Sequence, residues 1–265
     1  MKWRQILVGA CLCCVGSFSF ADSVISGIVD FANDELDVMK KIIQFKSGGY
    51  TFDSAIEVTT NSWKLLGAPL NSGTPATALI AANAPGNSFF KFSDGFGGTT
   101  FCGIERLSFS NGRNFANSGG AICADNFRGL ISDVVFNDNT TSLESDCTYG
   151  GALCVQKVFI GDIIRAKFIE NTAGDVNGLN GNGGALYAYS ISGIITDSLF
   201  DSNKVLGNRK SDGGAVASYV STCDIIRSEF IRNTATGCGG AIFASVFNGN
   251  IYDSLFEGNE SRTGG

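Results

Sequence analysis

The stretch 183–203, GGALYAYSISGIITDSLFDSN, opens with Gly-Gly-Ala-Leu and closes with Phe-Asp-Ser-Asn, and 17 residues separate Gly183 from Phe200. The chain contains four further copies of this arrangement, in which a Gly-Gly-Ala-aliphatic tetrad precedes a Phe-x-x-Asn tetrad. The step from first Gly to Phe is 17 residues in every copy except the one at Gly150, where it is 18. The step from Phe to the next Gly-Gly pair varies from 8 to 15 residues. A constant arm that alternates with a variable arm is typical of a solenoid, whose coils stack through one part and carry loops on another.

Each repeat motif has a structural interpretation. A glycine pair permits the positive φ or close backbone approach that a tight corner needs. An Asn tolerates the left-handed conformation, hydrogen-bonds locally and can stack into a side-chain ladder. The motif positions are Gly119, Gly120, Phe136 and Asn139; Gly150, Gly151, Phe168 and Asn171; Gly183, Gly184, Phe200 and Asn203; Gly213, Gly214, Phe230 and Asn233; and Gly239, Gly240, Phe256 and Asn259.

Other columns appear when the copies are aligned on their Phe. Five residues before each Phe is an Ile, and two residues before it is a small or short residue. Even spacing along a strand places the Phe and the small residue on one face. We therefore predict Phe and Ile columns that point into the core, in which each side chain is buried against its copies in neighbouring coils. The Ile column is Ile131, Ile163, Ile195, Ile225 and Ile251.

A charged column precedes the Phe by three residues and alternates in sign: Asp133, Arg165, Asp197, Arg227 and Asp253. Arg106 continues it upstream, three residues before Phe109. Opposite charges on adjacent strands stabilise a sheet by roughly 0.2–1 kcal/mol per pair. The regular alternation favours a structural ladder on one outer strip over a lyase or hydrolase site.

Composition narrows the function classes. Hydrophobic residues make up 44% of the chain, including 21 Phe, which suffices for a substantial core. The chain has no His, which excludes Ser-His or Cys-His catalysis and His-ligated zinc. No Gly-rich loop is followed by Lys-Ser/Thr or fits G-x-G-x-x-G after a strand, so nucleotide binding is not supported. We predict no cofactor, no metal site and no catalytic residue.

Residues 1–21 read as an export signal. Lys2 and Arg4 precede an apolar run from Ile6 to about Val15, and 19–21 (Ser-Phe-Ala) fits a small-x-small cleavage site. The run is short for a membrane anchor, and 8–11 (Val-Gly-Ala-Cys) also resembles a lipoprotein box. Removal of 1–21 leaves 17 basic and 25 acidic residues, a net charge of −8, which argues against a nucleic-acid partner.

The chain has nine Cys, of which six follow residue 21. Six cysteines in an oxidising compartment allow 15 pairings, so sequence cannot settle them. Cys123 and Cys154 occupy the same place in successive Gly-Gly motifs, so stacking would bring them onto neighbouring coils. The strand spacing of about 4.8 Å fits the Cα separation of a disulfide. A disulfide and a column of buried thiols remain equal alternatives.

The paired tetrads resemble those of the chlamydial polymorphic membrane proteins, whose passenger regions carry repeated GGA(I/L/V) and FxxN motifs. The resemblance covers roughly residues 97–265. It implies a right-handed parallel β-helix, export, display on the outer membrane by a C-terminal autotransporter barrel, and a role in host-cell adhesion or as a variable surface antigen. We therefore predict an all-β fold with a signal peptide at 1–21, an N-terminal capping region at 22–96 and β-helix passenger repeats at 97–265.

The chain departs from that family because no alternating barrel strands follow residue 265, and Gly264-Gly265 falls where a sixth GGA motif would begin. The expectation is a truncated member or a fragment, whose isolated product is periplasmic or secreted rather than held at the cell surface. Membrane association would require the missing barrel, and exposed strand edges at the β-helix ends would permit self-association.

Two classes of function follow. In the first, a non-catalytic adhesin or antigen binds a host-cell surface protein or glycan through the variable loops. In the second, a carbohydrate-active β-helix enzyme uses Asp175, Asp201 or Asp212 as general acid and base. These carboxylates show no obvious paired spacing, which favours the adhesin; a non-functional truncated product is a further alternative. The variable loops are Thr140–Tyr149, Thr172–Asn182 and Lys204–Asp212.

Overall fold

The fold is an all-β parallel solenoid, which confirms the predicted fold class. A computed structural model describes residues 29–30, 40–52, 55–58, 62–81, 88–92, 102–114, 118–142, 148–174, 180–207 and 211–263. The predicted signal segment 1–21 lies outside the described residues. Among the described strands, every pairing is parallel except that of the first two, which are antiparallel. The described part of the chain holds no helix with the length and apolarity that crossing a membrane requires.

The strands are short at the corners and long on one face. In chain order they are β1 (Val29–Asp30), β2 (Lys40–Gln44), β3 (Gly48–Phe52), β4 (Ile56–Val58), β5 (Ser62–Leu66), β6 (Thr77–Ala81), β7 (Phe90–Phe92), β8 (Cys102–Glu105), β9 (Ser108–Ser110), β10 (Arg113–Asn114), β11 (Ile122–Ala124), β12 (Phe127–Ser132), β13 (Val135–Asn137), β14 (Thr140–Thr141), β15 (Thr148–Tyr149), β16 (Leu153–Ile164), β17 (Lys167–Ile169), β18 (Thr172–Ala173), β19 (Gly181–Asn182), β20 (Leu186–Thr196), β21 (Leu199–Asp201), β22 (Lys204–Val205), β23 (Val216–Ile226), β24 (Glu229–Ile231), β25 (Thr234–Cys238), β26 (Ile242–Phe247), β27 (Ile251–Tyr252), β28 (Leu255–Glu257) and β29 (Glu260–Thr263).

Three stacked sheets form the sides of the solenoid. The long sheet contains β16, β20 and β23 at its centre, and each of these strands pairs in parallel with its copy in the next coil. The second sheet stacks the Phe strands in the order β28-β24-β21-β17-β13-β9-β6-β3, and the third runs β10-β14-β18-β22-β25-β29. We number coils 1 to 5 by the Gly-Gly pairs that begin at Gly119, Gly150, Gly183, Gly213 and Gly239.

The core is a set of stacked side-chain columns. The Phe rings from Phe109 to Phe256 stack in register, with centroids 4.7–5.0 Å apart and interplanar angles of 2–15°. The Ile residues of the predicted column also pair in register, from Ile104 through Ile131 to Ile225 and Ile251. Both columns are buried until coil 5, where Ile251 and Phe256 are exposed. Burial of a large apolar side chain stabilises the fold by about 1.5–3 kcal/mol, so these columns are a main source of cohesion between coils.

Each coil turns at three left-handed corners. One is the first glycine of the Gly-Gly pair, as at Gly150 with φ 62°. The second is the charged column, where Arg165 has φ 51°, and the third is the residue before the motif Asn, where Glu170 has φ 56°. The charged-column corner joins the long sheet to the second sheet, and the corner before the Asn joins the second sheet to the third. The glycine corner joins the third sheet to the long sheet of the next coil.

The second glycine of each pair is required by stacking. A Cβ on Gly151 would overlap the carbonyl oxygen of Gly184 in the next coil, and Gly184 has the same relation to Gly214. The glycine pairs therefore allow consecutive coils to nest at the corner that opens the long sheet.

A buried amide ladder runs beside the Phe column. The Asn171 side-chain oxygen accepts hydrogen bonds from the backbone N–H and the side-chain amide of Asn139, at 3.0 and 2.9 Å. Its amide nitrogen donates to Phe136 O and to the Asn203 side-chain oxygen, at 3.0 and 2.9 Å. The pattern continues to Asn259. Each Asn thus caps the third corner of the preceding coil and binds the Asn of the next coil.

Parallel stacking also extends upstream of residue 97. Strands β3 and β6 pair in parallel and lead into β9, so that Tyr50, Leu79 and Phe109 occupy one column. Tyr50 and Leu79 are buried, as the later Phe residues are. Described strands within 22–96, the predicted capping region, therefore belong to the same sheets.

The amide ladder yields the first testable prediction. Asn171→Ala removes a side chain that makes four hydrogen bonds and leaves buried groups of Asn139 and Phe136 short of a partner. Because each unsatisfied buried group costs about 1–3 kcal/mol, we expect a loss of at least ~3 kcal/mol in the free energy of unfolding, measured in urea. Asn137→Ala is the matched control, since Asn137 lies on the outward face of β13. Equal losses for the two variants would contradict this role of the ladder.

Candidate functional site

The charged column predicted from the sequence lies at the corner between the long and second sheets. Arg165 makes a two-pronged ion pair with Asp133, at 2.7 and 2.8 Å, and Arg227 does the same with Asp197, at 2.8 and 2.8 Å. Each Arg reaches toward the preceding coil. The column is therefore a series of separate pairs rather than a continuous ladder.

These pairs shift the affinity of their members for protons. Hydrogen bonds from Arg227 and Thr196 hold the pKa of Asp197 below its ordinary value of 3.8, and the hydrogen bonds to Asp133 raise the pKa of Arg165. Because the pKa of Asp197 is lowered, the stabilisation from this pair is present above pH 3.8. It is lost as the pH falls through the folded-state pKa of Asp197.

The same residues carry backbone strain. Non-glycine residues in the left-handed region cost roughly 1–2 kcal/mol each, and Arg is not among the residues that adopt it readily. Nevertheless every described member of the column has a φ between 45° and 56°. The exposed Arg side chains bring charge to this corner, but they do not relieve the strain there.

A second set of ion pairs lies at the corner between the second and third sheets. Arg232 contacts Asp201 at 2.6 Å, and Arg113 contacts Asp138 at 2.8 Å. Sequence analysis missed this set because its corner column, the residue before each motif Asn, contains Asp, Glu, Ser, Arg and Gly without a regular alternation. The available signal was the charge of Arg232 opposite Asp201 in the preceding coil.

The carboxylates considered for catalysis lie in structural contacts where they are described. Asp201 is the partner of Arg232. Asp212 is buried, and its Oδ1 accepts a hydrogen bond from the backbone N–H of Cys238 at 2.7 Å. Asp175 lies outside the described residues. Asp201 and Asp212 thus each hold one coil against the next.

The variable loops follow the third sheet and end at the glycine corner. Their first residues form β14, β18 and β22, and Tyr149 and Asn182 belong to the short β15–β19 pair. Residues 143–147, 175–179 and 208–210 of these loops lie outside the described residues. The loops therefore border the long sheet on its glycine side.

Cys123 and Cys154 are directly opposed in register, as sequence alignment of the coils placed them. Both thiols are free and buried, and the hydrogen bond that Cys154 makes to Cys123 lowers the pKa of Cys123 and raises that of Cys154. Opposed residues on parallel strands lie about 4.8 Å apart, within the usual Cα separation of 4.4–6.8 Å in a disulfide. The thiols are unbonded in this structure, and a disulfide between them stays a prediction.

A cavity with a volume of about 620 Å³ lies against coil 5. It is lined by core-column residues that include Ala241, Ile242, Ile251 and Phe256. No cluster of three or more Cys, Asp or Glu among the described residues could hold a metal ion. The cavity therefore continues the apolar columns and brings together no catalytic groups.

Comparison with known proteins identifies the repeat. Residues 227–245 match the Chlamydia polymorphic membrane protein repeat, and this segment holds one FxxN tetrad and the GGAI tetrad that follows it. This match covers 19 of the 265 residues and one copy of the repeated motif. A stretch of 163 residues is also 28% identical to the probable autotransporter YfaL of Escherichia coli (strain K12). That match covers 56% of this chain and 13% of YfaL, and no solved structure matches. The geometry explains the motif repeated in this chain, since its Gly residues form a corner, its Phe residues stack in the core and its Asn residues form the amide ladder.

The strained corner gives a prediction for Arg165. Arg165→Ala loses the exposed pair with Asp133, worth up to about 1 kcal/mol, and keeps the left-handed strain. Arg165→Gly loses the same pair but relieves the strain, so we expect it to be more stable than Arg165→Ala by about 1 kcal/mol. Urea unfolding of both variants at low salt checks this. The same pair of substitutions at Lys167, which lies in β17 next to this corner, is the control and should rank in the opposite order.

The buried thiols give a prediction for chemical labelling. Burial raises the pKa of Cys223 to about 12, so almost none of it is thiolate at pH 8. We expect an alkylating reagent at pH 8 to modify the half-buried Cys238 first, and to reach Cys154 and Cys223 only when the protein unfolds. Mass spectrometry of the labelled peptides measures the order, with labelling in urea as the control. Equal labelling rates for Cys223 and Cys238 in folded protein would contradict the burial argument.

Proposed function

We propose that this chain belongs to a surface-exposed passenger that binds a molecule of the host-cell surface and catalyses no reaction. Its repeat matches a family of polymorphic membrane proteins, and its partial relative is named a probable autotransporter. Both similarities support display at the outer membrane or cell surface. Adhesion and antigenic variation are the roles that this arrangement serves best.

One observation carries the proposal: the repeated charged and polar positions of the coils are engaged in contacts between coils. The motif Asn residues bond to one another, the charged columns form ion pairs, and Asp212 binds the backbone of the next coil. An enzyme needs carboxylates free to accept and donate protons near a substrate. Asp201 and Asp212 are committed to the scaffold instead.

The part of each coil in which the length varies also supports a binding function. Coil length varies by one residue in the Gly-to-Phe arm and from 8 to 15 residues in the arm that contains the loops Thr140–Tyr149, Thr172–Asn182 and Lys204–Asp212. A rigid scaffold with loops of variable length is a common design for recognition surfaces. In an antigen, such loops can change without disturbing the stacked columns.

Two measurements test this function. Purified protein, labelled with a fluorophore, should bind cultured epithelial cells saturably, as measured by flow cytometry, while a heat-unfolded sample should not. Incubation with a panel of polysaccharides should release no reducing ends. Absence of saturable binding would refute the adhesive role. Polysaccharide turnover that is lost in Asp212→Asn or Asp175→Asn would establish the enzymatic alternative.

A further inference from the structure

The tyrosines of this chain are concentrated on one face. Of its six Tyr, Tyr187 and Tyr189 lie in β20, Tyr219 in β23 and Tyr252 in β27, all strands of the long sheet. Tyr149 lies at the edge of this sheet, with its ring centroid 4.4 Å from that of Tyr187. The sixth, Tyr50, is buried in the core. The stacked columns of the core are instead built mainly from Phe and Ile, so most Tyr side chains of the chain lie on one outer surface.

Two of these tyrosines form an exposed stack at the centre of the face. The rings of Tyr189 and Tyr219 are 5.3 Å apart and 16° from parallel, and the residues are 50% and 53% exposed. Their neighbours Ala188 and Ser218 point inward and are buried. Because each ring limits the motion of the other, little side-chain entropy remains to be lost when a partner covers them.

The surroundings of the stack have the composition of a protein interface. Ile160 and Ile194 lie on the same outward side and are 38% and 37% exposed. The ion pairs of Arg165 and Arg227 border the face at one corner, and the variable loops border it at the other. Protein interfaces commonly have an aromatic and aliphatic centre within a polar rim, and Tyr and Arg are enriched in them.

The size and shape of the face indicate the class of partner. Strands of 11 or 12 residues span about 36 Å, and five coils spaced by about 4.8 Å span about 24 Å. The product, roughly 850 Å², is close to the ~800 Å² that each partner contributes to a standard protein interface. Small-molecule sites are concave, whereas this face is an extended sheet surface.

We propose that the tyrosine face, defined as the outward side of the long sheet in coils 1 to 5 around Tyr189 and Tyr219, docks a folded protein on the host-cell surface. This inference rests on the proposed adhesive function and assigns it to a sheet surface. The stacked tyrosines form the centre of the contact, and the loops lie at its edge. The partner presents a flat patch with an apolar centre.

The test uses the cell-binding assay with purified variants. Tyr189→Ser/Tyr219→Ser should raise the concentration for half-maximal binding at least about tenfold, as expected for central interface residues. The matched control is Leu199→Ser/Ile231→Ser, which removes two apolar side chains from the outward side of the second sheet in the same coils. It should leave binding unchanged. Thr222→Arg adds a long charge to the exposed face without altering the stack and should weaken binding as the tyrosine variant does.

Three comparisons decide the outcome. Trypsin treatment of the cells should abolish binding, and periodate treatment should spare it; the reverse pattern would identify a glycan and overturn the inference. The tyrosine variant and Thr222→Arg could both bind as the unaltered protein does, while replacement of residues 175–179 by Gly and Ser abolishes binding. This result would place the contact in a loop. That result would overturn the inference and leave the adhesive function standing. Failure of the unaltered protein to bind would refute both. Thermal unfolding establishes that each variant is folded.

Discussion

In-register parallel stacking is the constraint on which every other feature depends. Each residue of a coil lies about 4.8 Å from its counterparts above and below, so any property of a side chain is repeated along a column. Apolar columns become a continuous core, amide columns become hydrogen-bond ladders, and columns of one charge would repel. Register requires coils of equal perimeter, which is why the Gly-to-Phe arm keeps its length while the arm with the loops does not.

The three corners satisfy this constraint in chemically different ways. Glycine at the first corner fits because both left-handed backbone and close nesting are needed there. The corner before the Phe strand is strained in every coil, and its residues alternate in charge instead of being glycine. The third corner is strained immediately before the Asn, whose side chain bonds to the same corner of the preceding coil. Conformational freedom, charge pairing and amide bonding thus make the corners distinct although their backbone φ values are similar.

The sequence predicted the features that stacking repeats with identical residues. The Phe and Ile columns, the glycine corner and the opposition of Cys123 to Cys154 follow from residue spacing alone. The upstream coils were harder to recognise, because a column needs apolar residues of suitable size rather than one residue type, as Tyr50, Leu79 and Phe109 demonstrate. The strain at Arg165 had no sequence signal, since Arg rarely adopts that conformation. The Tyr189–Tyr219 stack was visible as aligned tyrosines, but its exposure depended on which way the long strands face.

The separation of the charged column into pairs gives the stack a mechanical order. Asp133–Arg165 joins coils 1 and 2, while Asp197–Arg227 and Asp201–Arg232 join coils 3 and 4. Among the described residues, no ion pair crosses from coil 2 to coil 3 or from coil 4 to coil 5. The hydrogen bonds between coils lie along the solenoid axis, so tension along that axis loads them together. Tension therefore loads only hydrogen-bond ladders and stacked side chains at the junctions of coils 2 with 3 and 4 with 5, and loads ion pairs as well at the other two junctions.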